Sequence, residues 1–178
     1  MDVANVFYST TEDPVAAKYK SIFEEVAQQV GRILSVHFEL LYWRDLAGGL
    51  GDSGQAVIDS RVKGKYEIYF GIMGHRFGTG TEHEYRSAVE SHVKTGVPIY
   101  ACFGFCEEHV NPHSLDADSF AKVAQFRKDI GTAAKYGKAV LYFSFANEAE
   151  FRRRVESHLK EAIEEIRGRV IGGKTFGV

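Results

Sequence analysis

Residues 71 to 92 read GIMGHRFGTGTEHEYRSAVESH, an apolar run that ends in glycines and leads to two carboxylates one residue apart, Glu82 and Glu84. A carboxylate at such a point can accept hydrogen bonds from sugar hydroxyls. A structural role competes with this. TEHE fits a capping box in which Thr81 accepts from the Glu84 amide and Glu84 reaches back to Thr81, and an acid in a first turn also favours the helix dipole. At ~100° per residue Glu82 lies nearer the azimuth of the following apolar stripe and Glu84 about 40° beyond its Ala88 edge, so periodicity does not choose between them.

The elements that would position these acids are legible as five short apolar runs alternating with helical patterns. The runs are Ala4–Tyr8, Val36–Trp43, Tyr66–Met73, Pro98–Phe105 and Lys138–Phe145. A helix is expected over Pro14–Leu34, with Asp13 as N-cap, Pro14 in the first turn, and Val15, Tyr19, Ile22, Phe23, Val26, Val30 and Ile33 inward. A short helix is expected near Gln55–Lys63, after the glycine-rich stretch AGGLGDSG. Further helices follow strand three, with Tyr85, Ala88, Val89 and Val93 on one stripe, then span Asp118–Lys135 and Ala149–Ile166. Asn147 with Glu150 three residues on makes a cap for the last. The second run alternates, Val36, Phe38 and Leu40 against His37 and Glu39, as an edge strand does. Strands separated by helices imply a parallel sheet covered on both faces, and the chain length suits a flavodoxin-like, doubly wound α/β domain of order 2-1-3-4-5.

That order fixes where a ligand would bind, beyond the strand ends between strands one and three. Strand one brings Tyr8, Ser9 and Thr10 there, strand three brings Met73, His75, Arg76 and Phe77, and neighbouring strand two adds Trp43, Arg44 and Asp45. Rings for stacking and carboxylates for hydroxyls suit a nucleobase and a sugar diol; Phe77 or Trp43 could stack, and Arg44 or Arg76 could meet a pyrophosphate.

Composition narrows the classes. The chain has 178 residues, 44% hydrophobic and 26% charged, with a formal net charge of −2, which gives no reason to expect a nucleic-acid or anionic-membrane partner. Arg152, Arg153 and Arg154 spread around a helix as a solvated face. No stretch approaches the ~20 apolar residues of a membrane span, and MDVANVFY lacks the basic region and cleavage site of a signal peptide. Two cysteines, Cys102 and Cys106, suit a reducing cytoplasm. CFGFCEEHVNPH does not have zinc-finger spacing, so no metal site is expected. GGLGDSG and GTGTE lack the Gly-Lys-Ser/Thr of a phosphate-binding loop, and no Ser-His-Asp or Cys-His arrangement stands out. A receiver domain would have acids ending strand one and an aspartate ending strand three; FYST and GIMG supply neither.

Several of these segments resemble a Toll/interleukin-1 receptor (TIR) domain of the divergent bacterial defence type. NVFYSTTEDP resembles the family's first strand, SGQAVIDSRVKGKYEIYFGIM its second helix and third strand, and RFGTGTEHEYRSAV a Gly-Thr, two residues, Glu, aromatic, small pattern. The similarity covers most of residues 3–165, with residues 1–168 as the TIR-like domain and 169–178 as a tail or linker. Matched by position, the resemblance implies Glu84, not Glu82, as catalytic glutamate. It implies cleavage of the nicotinamide–ribose bond of NAD+, to ADP-ribose or a cyclic form, with NAD+ as substrate and no resident cofactor. It further implies antiviral defence, activation by TIR–TIR self-association, and a sensor such as a cyclic-nucleotide-binding module in the parent protein. The chain departs from many eukaryotic members in having Gly80 where a tryptophan precedes the glutamate, and GIMG where a serine closes strand three. A non-catalytic TIR scaffold and a nucleoside deoxyribosyltransferase-like enzyme are the competing readings.

Overall fold

A computed structural model describes residues 2–42, 62, 64–110 and 116–171. Apolar β-branched and aromatic runs form the strands β1 (Asp2–Thr10), β2 (Val36–Tyr42), β3 (Ile68–Met73), β4 (Tyr100–Cys106) and β5 (Leu141–Phe145). They make one parallel sheet of order β2-β1-β3-β4-β5, the expected flavodoxin-like layout, with β2 at an edge. The helices are α1 (Pro14–Leu34), α2 (Thr79–Thr95), α3 (Ala117–Ile130), α4 (Ala133–Tyr136) and α5 (Glu148–Ile171).

Side chains alternate along each strand and so divide the core in two. Val6, Tyr8, Phe38, Ile68, Phe70 and Cys102 face α1 and α5, whose Phe23, Val26, Phe151 and Leu159 are buried against them. Phe7, Tyr69, Met73, Phe103 and Phe105 face the opposite way and meet Tyr85 and Ala88 of α2 and Phe126 of α3. Backbone donors at helix starts are closed by short polar side chains: Asp13 Oδ1 accepts from the Ala16 amide at 2.9 Å, and Asn147 Oδ1 from the Glu150 amide at 2.9 Å.

Several boundaries differ from the sequence reading. The expected helix over Asp118–Lys135 is two helices, interrupted at Gly131 and Thr132. The last helix continues to Ile171, so residues 169–171 belong to α5; Arg169 and Glu165 pair at 2.9 Å along its surface. Ile33 and Val93, expected inward, are 66% and 59% exposed. Both sit in the last turn of their helices, where periodicity still gives the phase but the covering neighbour has ended. Most of the expected Gln55–Lys63 helix and the AGGLGDSG stretch lie outside the described residues, as does the segment after Ile171.

Gly71 of β3 shows how tightly the strand leading to the switch point is packed. It lies opposite Phe103 in register, and a Cβ there would stand 2.1 Å from that ring, which is itself fully buried. Gly71→Ala is therefore expected to cost about 1–3 kcal/mol by overpacking, read as a lower urea midpoint at unchanged slope. An unchanged midpoint would mean that the Phe103 ring has room to move.

Candidate active site

The ends of β1 and β3 are neighbours, yet α1 and α2 leave them toward opposite faces of the sheet. The crevice between is tied by one hydroxyl. Thr11 Oγ1 donates to Asp13 Oδ2 at 2.6 Å and accepts from the Gly74 amide at 3.1 Å, while the Thr11 amide donates to the Ile72 carbonyl at 3.2 Å. Glycine is needed at position 74, because a Cβ would stand 2.4 Å from both Asp13 carboxylate oxygens. From its other side the 74–78 loop is held by α3 and the segment after β4: His75 Nε2 donates to the Glu108 carbonyl at 2.9 Å, and the Phe77 amide to Ser119 Oγ at 2.7 Å. The Phe77 ring lies edge-on to Phe126, with centroids 5.9 Å apart.

These tethers leave a cavity of about 410 Å³ between residues 10–12 on one wall and residues 76–81 on the other. Glu84, 4% exposed, lines it one and a half helical turns in from the start of α2. Beneath it the sheet supplies a hydroxyl pair, Ser9 Oγ and Tyr69 OH, 2.7 Å apart. Burial, and then the negative charge of Glu84, hold the Tyr69 phenol well above its ordinary pKa, so it stays neutral.

Glu82 has a different place. It accepts from Tyr136 OH at 2.7 Å and from Lys135 Nζ at 3.2 Å, joining α2 to α4, and it does not line the cavity. Burial alone would raise its pKa, but these two donors outweigh it and the carboxyl lies below its ordinary value. The expected capping box is absent. The helix starts at Thr79, three residues earlier than the box requires, with Gly78 in extended conformation as N-cap, so Thr81 is a buried first-turn residue.

Of the residues expected around a ligand, Thr10, Arg76, Phe77 and Glu84 line the cavity together. Ser9 does not line it, and its hydroxyl is paired with Tyr69 OH within the sheet. Tyr8 and Met73 do not belong to it, because alternation turns them into the two cores: Tyr8 donates to Glu24 Oε1 and stacks on Tyr42 at 5.1 Å, and Met73 is fully buried opposite. His75 is turned to Glu108 instead. Trp43, Arg44 and Asp45 lie outside the described residues. Sequence reasoning missed Thr11, Glu12, Gly78, Thr79, Gly80 and Thr81, although the Asp13-Pro14 helix start marks 11–12 as the turn after β1.

No group of three or more His, Cys, Asp or Glu side chains is arranged to hold a metal among the described residues. Cys102 is fully buried in β4, and burial raises the Cys106 thiol to about 11. No helix among the described residues is long and apolar enough to cross a membrane.

No protein-family model matches the sequence, and no curated protein matches it. Among solved structures, a conserved protein from Enterococcus faecalis V583 aligns over 87% of this chain and 98% of its own, with 10% identity and a TM-score of 0.47. Oxidised flavodoxin 1 from Bacillus cereus aligns over 92% and 98%, with 13% identity and a TM-score of 0.41. Rubredoxin oxygen:oxidoreductase from Desulfovibrio gigas aligns over 93% of this chain and 37% of its own, with 8% identity and a TM-score of 0.47.

The engagement of Glu82 by Tyr136 is testable by pH. A carboxyl whose folded pKa lies below its unfolded one adds stability above the unfolded pKa and loses it as pH falls through the folded value. Tyr136→Phe, which removes a donor to Glu82, is thus expected to cost about 1–2 kcal/mol near neutral pH, and the gap from wild type to close as pH falls below the ordinary carboxylate range. Melting temperatures across that range check this; a gap independent of pH would assign the loss to packing of the Tyr136 ring.

Proposed function

We propose that this chain is an NAD+ glycohydrolase domain of TIR type, with Glu84 as its catalytic carboxylate. The observation that carries the reading is a buried acid lining a cavity of about 410 Å³ at the β1–β3 switch point. That volume falls within the ~300–1,000 Å³ of small-molecule sites, and the switch point is where such sheets bind nucleotides. The same glutamate is the one that the RFGTGTEHEYRSAV resemblance selects.

The chemistry asks little of the protein beyond charge and position. As the bond between C1′ and the pyridinium nitrogen breaks, its electron pair leaves with the ring, and nicotinamide departs neutral without a general acid. The ribose is left with oxocarbenium character, which the Glu84 carboxylate opposes while accepting from ribose hydroxyls. Water then adds to C1′ and loses a proton to solvent, giving ADP-ribose; in the cyclic product an adenine nitrogen takes the place of water. One carboxylate suffices for this leaving group, consistent with Glu82 being engaged by Tyr136 and Lys135. Phe77 offers a ring on the cavity wall for stacking. A role as a defence effector activated by self-association extends the same reading.

Nicotinamide release from NAD+ at high protein concentration, where neighbouring copies can assemble, is the test. Glu84→Gln is expected to keep the fold and lose at least about 100-fold in kcat, with Glu82→Gln retaining turnover. Normal turnover by Glu84→Gln beside a dead Glu82→Gln would overturn the assignment. Absence of turnover by assembled wild type would favour the scaffold, and cleavage of free nucleosides in place of NAD+ the deoxyribosyltransferase-like enzyme.

A further inference from the structure

The start of α2 presents the cavity with hydrogen-bond donors that have no acceptor among the described residues. Its N-cap is Gly78, and no side chain caps it. The first intrahelical bond runs from the Glu82 amide to the Gly78 carbonyl at 2.9 Å, so the amides of Thr79, Gly80 and Thr81 have no acceptor within the helix. The 17-residue helix adds partial positive charge at this end. Its first-turn acid does not cancel that charge at the cavity, because Glu82 is held by Tyr136 and Lys135.

Two side chains add to the polarity of this tip. Thr81 is 3% exposed and lines the cavity, and its hydroxyl makes no hydrogen bond among the described residues. Its Oγ1 lies 3.1 Å from where a Gly78 side chain would begin, turned toward the uncapped tip where a capping oxygen belongs. Arg76, exposed on the same wall, forms no ion pair among the described residues. Two acids also line the cavity: Glu12 on the opposite wall, and Glu84 about 7 Å along the helix axis from Thr79. The space is thus donor-rich and cationic at the helix tip, and acidic deeper in. A ligand with an anionic end one sugar away from a cationic or hydroxyl-bearing end matches that polarity.

We infer that the tip of α2, with the Thr81 hydroxyl and the Arg76 guanidinium, is the seat for the diphosphate of a nucleotide whose ribose reaches Glu84. The part concerning the ribose rests on the reading of the cavity as an NAD+ site; the anion seat stands on its own geometry. Amides at a helix start and a forked guanidinium are the usual partners of phosphate oxygens.

Titration of inorganic pyrophosphate into the ¹⁵N-labelled protein, followed by backbone NMR, tests the seat without any turnover. The amide signals of Thr79, Gly80 and Thr81 are expected to move together in a saturable way. Thr81→Val, which keeps the side-chain shape, and Arg76→Ala are each expected to weaken pyrophosphate binding about tenfold or more, with melting temperatures near wild type. Shifts confined to other amides, or affinities unchanged in both variants, overturn the proposal. Pyrophosphate shifts at the α2 tip in a protein that never consumes NAD+ would leave the seat standing and remove the catalytic reading. NAD+ turnover with no such shifts would do the reverse.

Discussion

In the order β2-β1-β3-β4-β5 the chain leaving β1 goes to one face of the sheet and the chain leaving β3 to the other. Two adjacent strand ends whose helices diverge must leave a crevice, and everything proposed for this molecule happens in it. The crevice would be ill-defined if its lips moved independently. The Thr11 hydroxyl prevents that by bridging the Asp13 carboxylate and the Gly74 amide, and Asp13 in turn caps α1. One buried polar cluster thus anchors a helix start, a strand end and the loop that carries Arg76 and Phe77.

The acids of α2 show how neighbouring residues of one type acquire separate roles from their surroundings. Glu82 and Glu84 are two positions apart and so point about 200° from each other around the helix. Glu82 meets a tyrosine and a lysine of α4, Glu84 the cavity and the Tyr69 side of the sheet. The first is explained fully by stability. The second is a carboxylate with 4% exposure that lines the cavity, which is where a ligand could meet it.

The layout of the sheet was legible because apolar runs and helical stripes are strong, repeated signals: strand order, the edge position of β2 and the Asp13 and Asn147 caps all follow from local pattern. Cavity membership was legible only in part, because proximity to a strand end does not say which face a side chain takes. Tyr8 and Met73 lie at the right height and face the cores, whereas Thr10, Arg76 and Phe77 reach the cavity. The capping box failed for a related reason. Gly78 can serve as a cap without any side-chain bond, so the helix begins before the threonine whose chemistry announces a start. The dense loop contacts of the site, Thr11 on Gly74 and Ser119 on Phe77, join residues far apart in the chain and leave no local pattern to read.

The account reduces to contact between the side chain at position 84 and the sugar next to the scissile bond. A crystal structure of the Glu84→Gln protein with NAD+ measures that contact directly. The account expects the nicotinamide ribose between residues 10–12 and 76–81, with a hydroxyl within about 3 Å of the side-chain amide introduced at position 84. NAD+ bound elsewhere on the sheet, or in this cavity with its ribose remote from position 84, would contradict it.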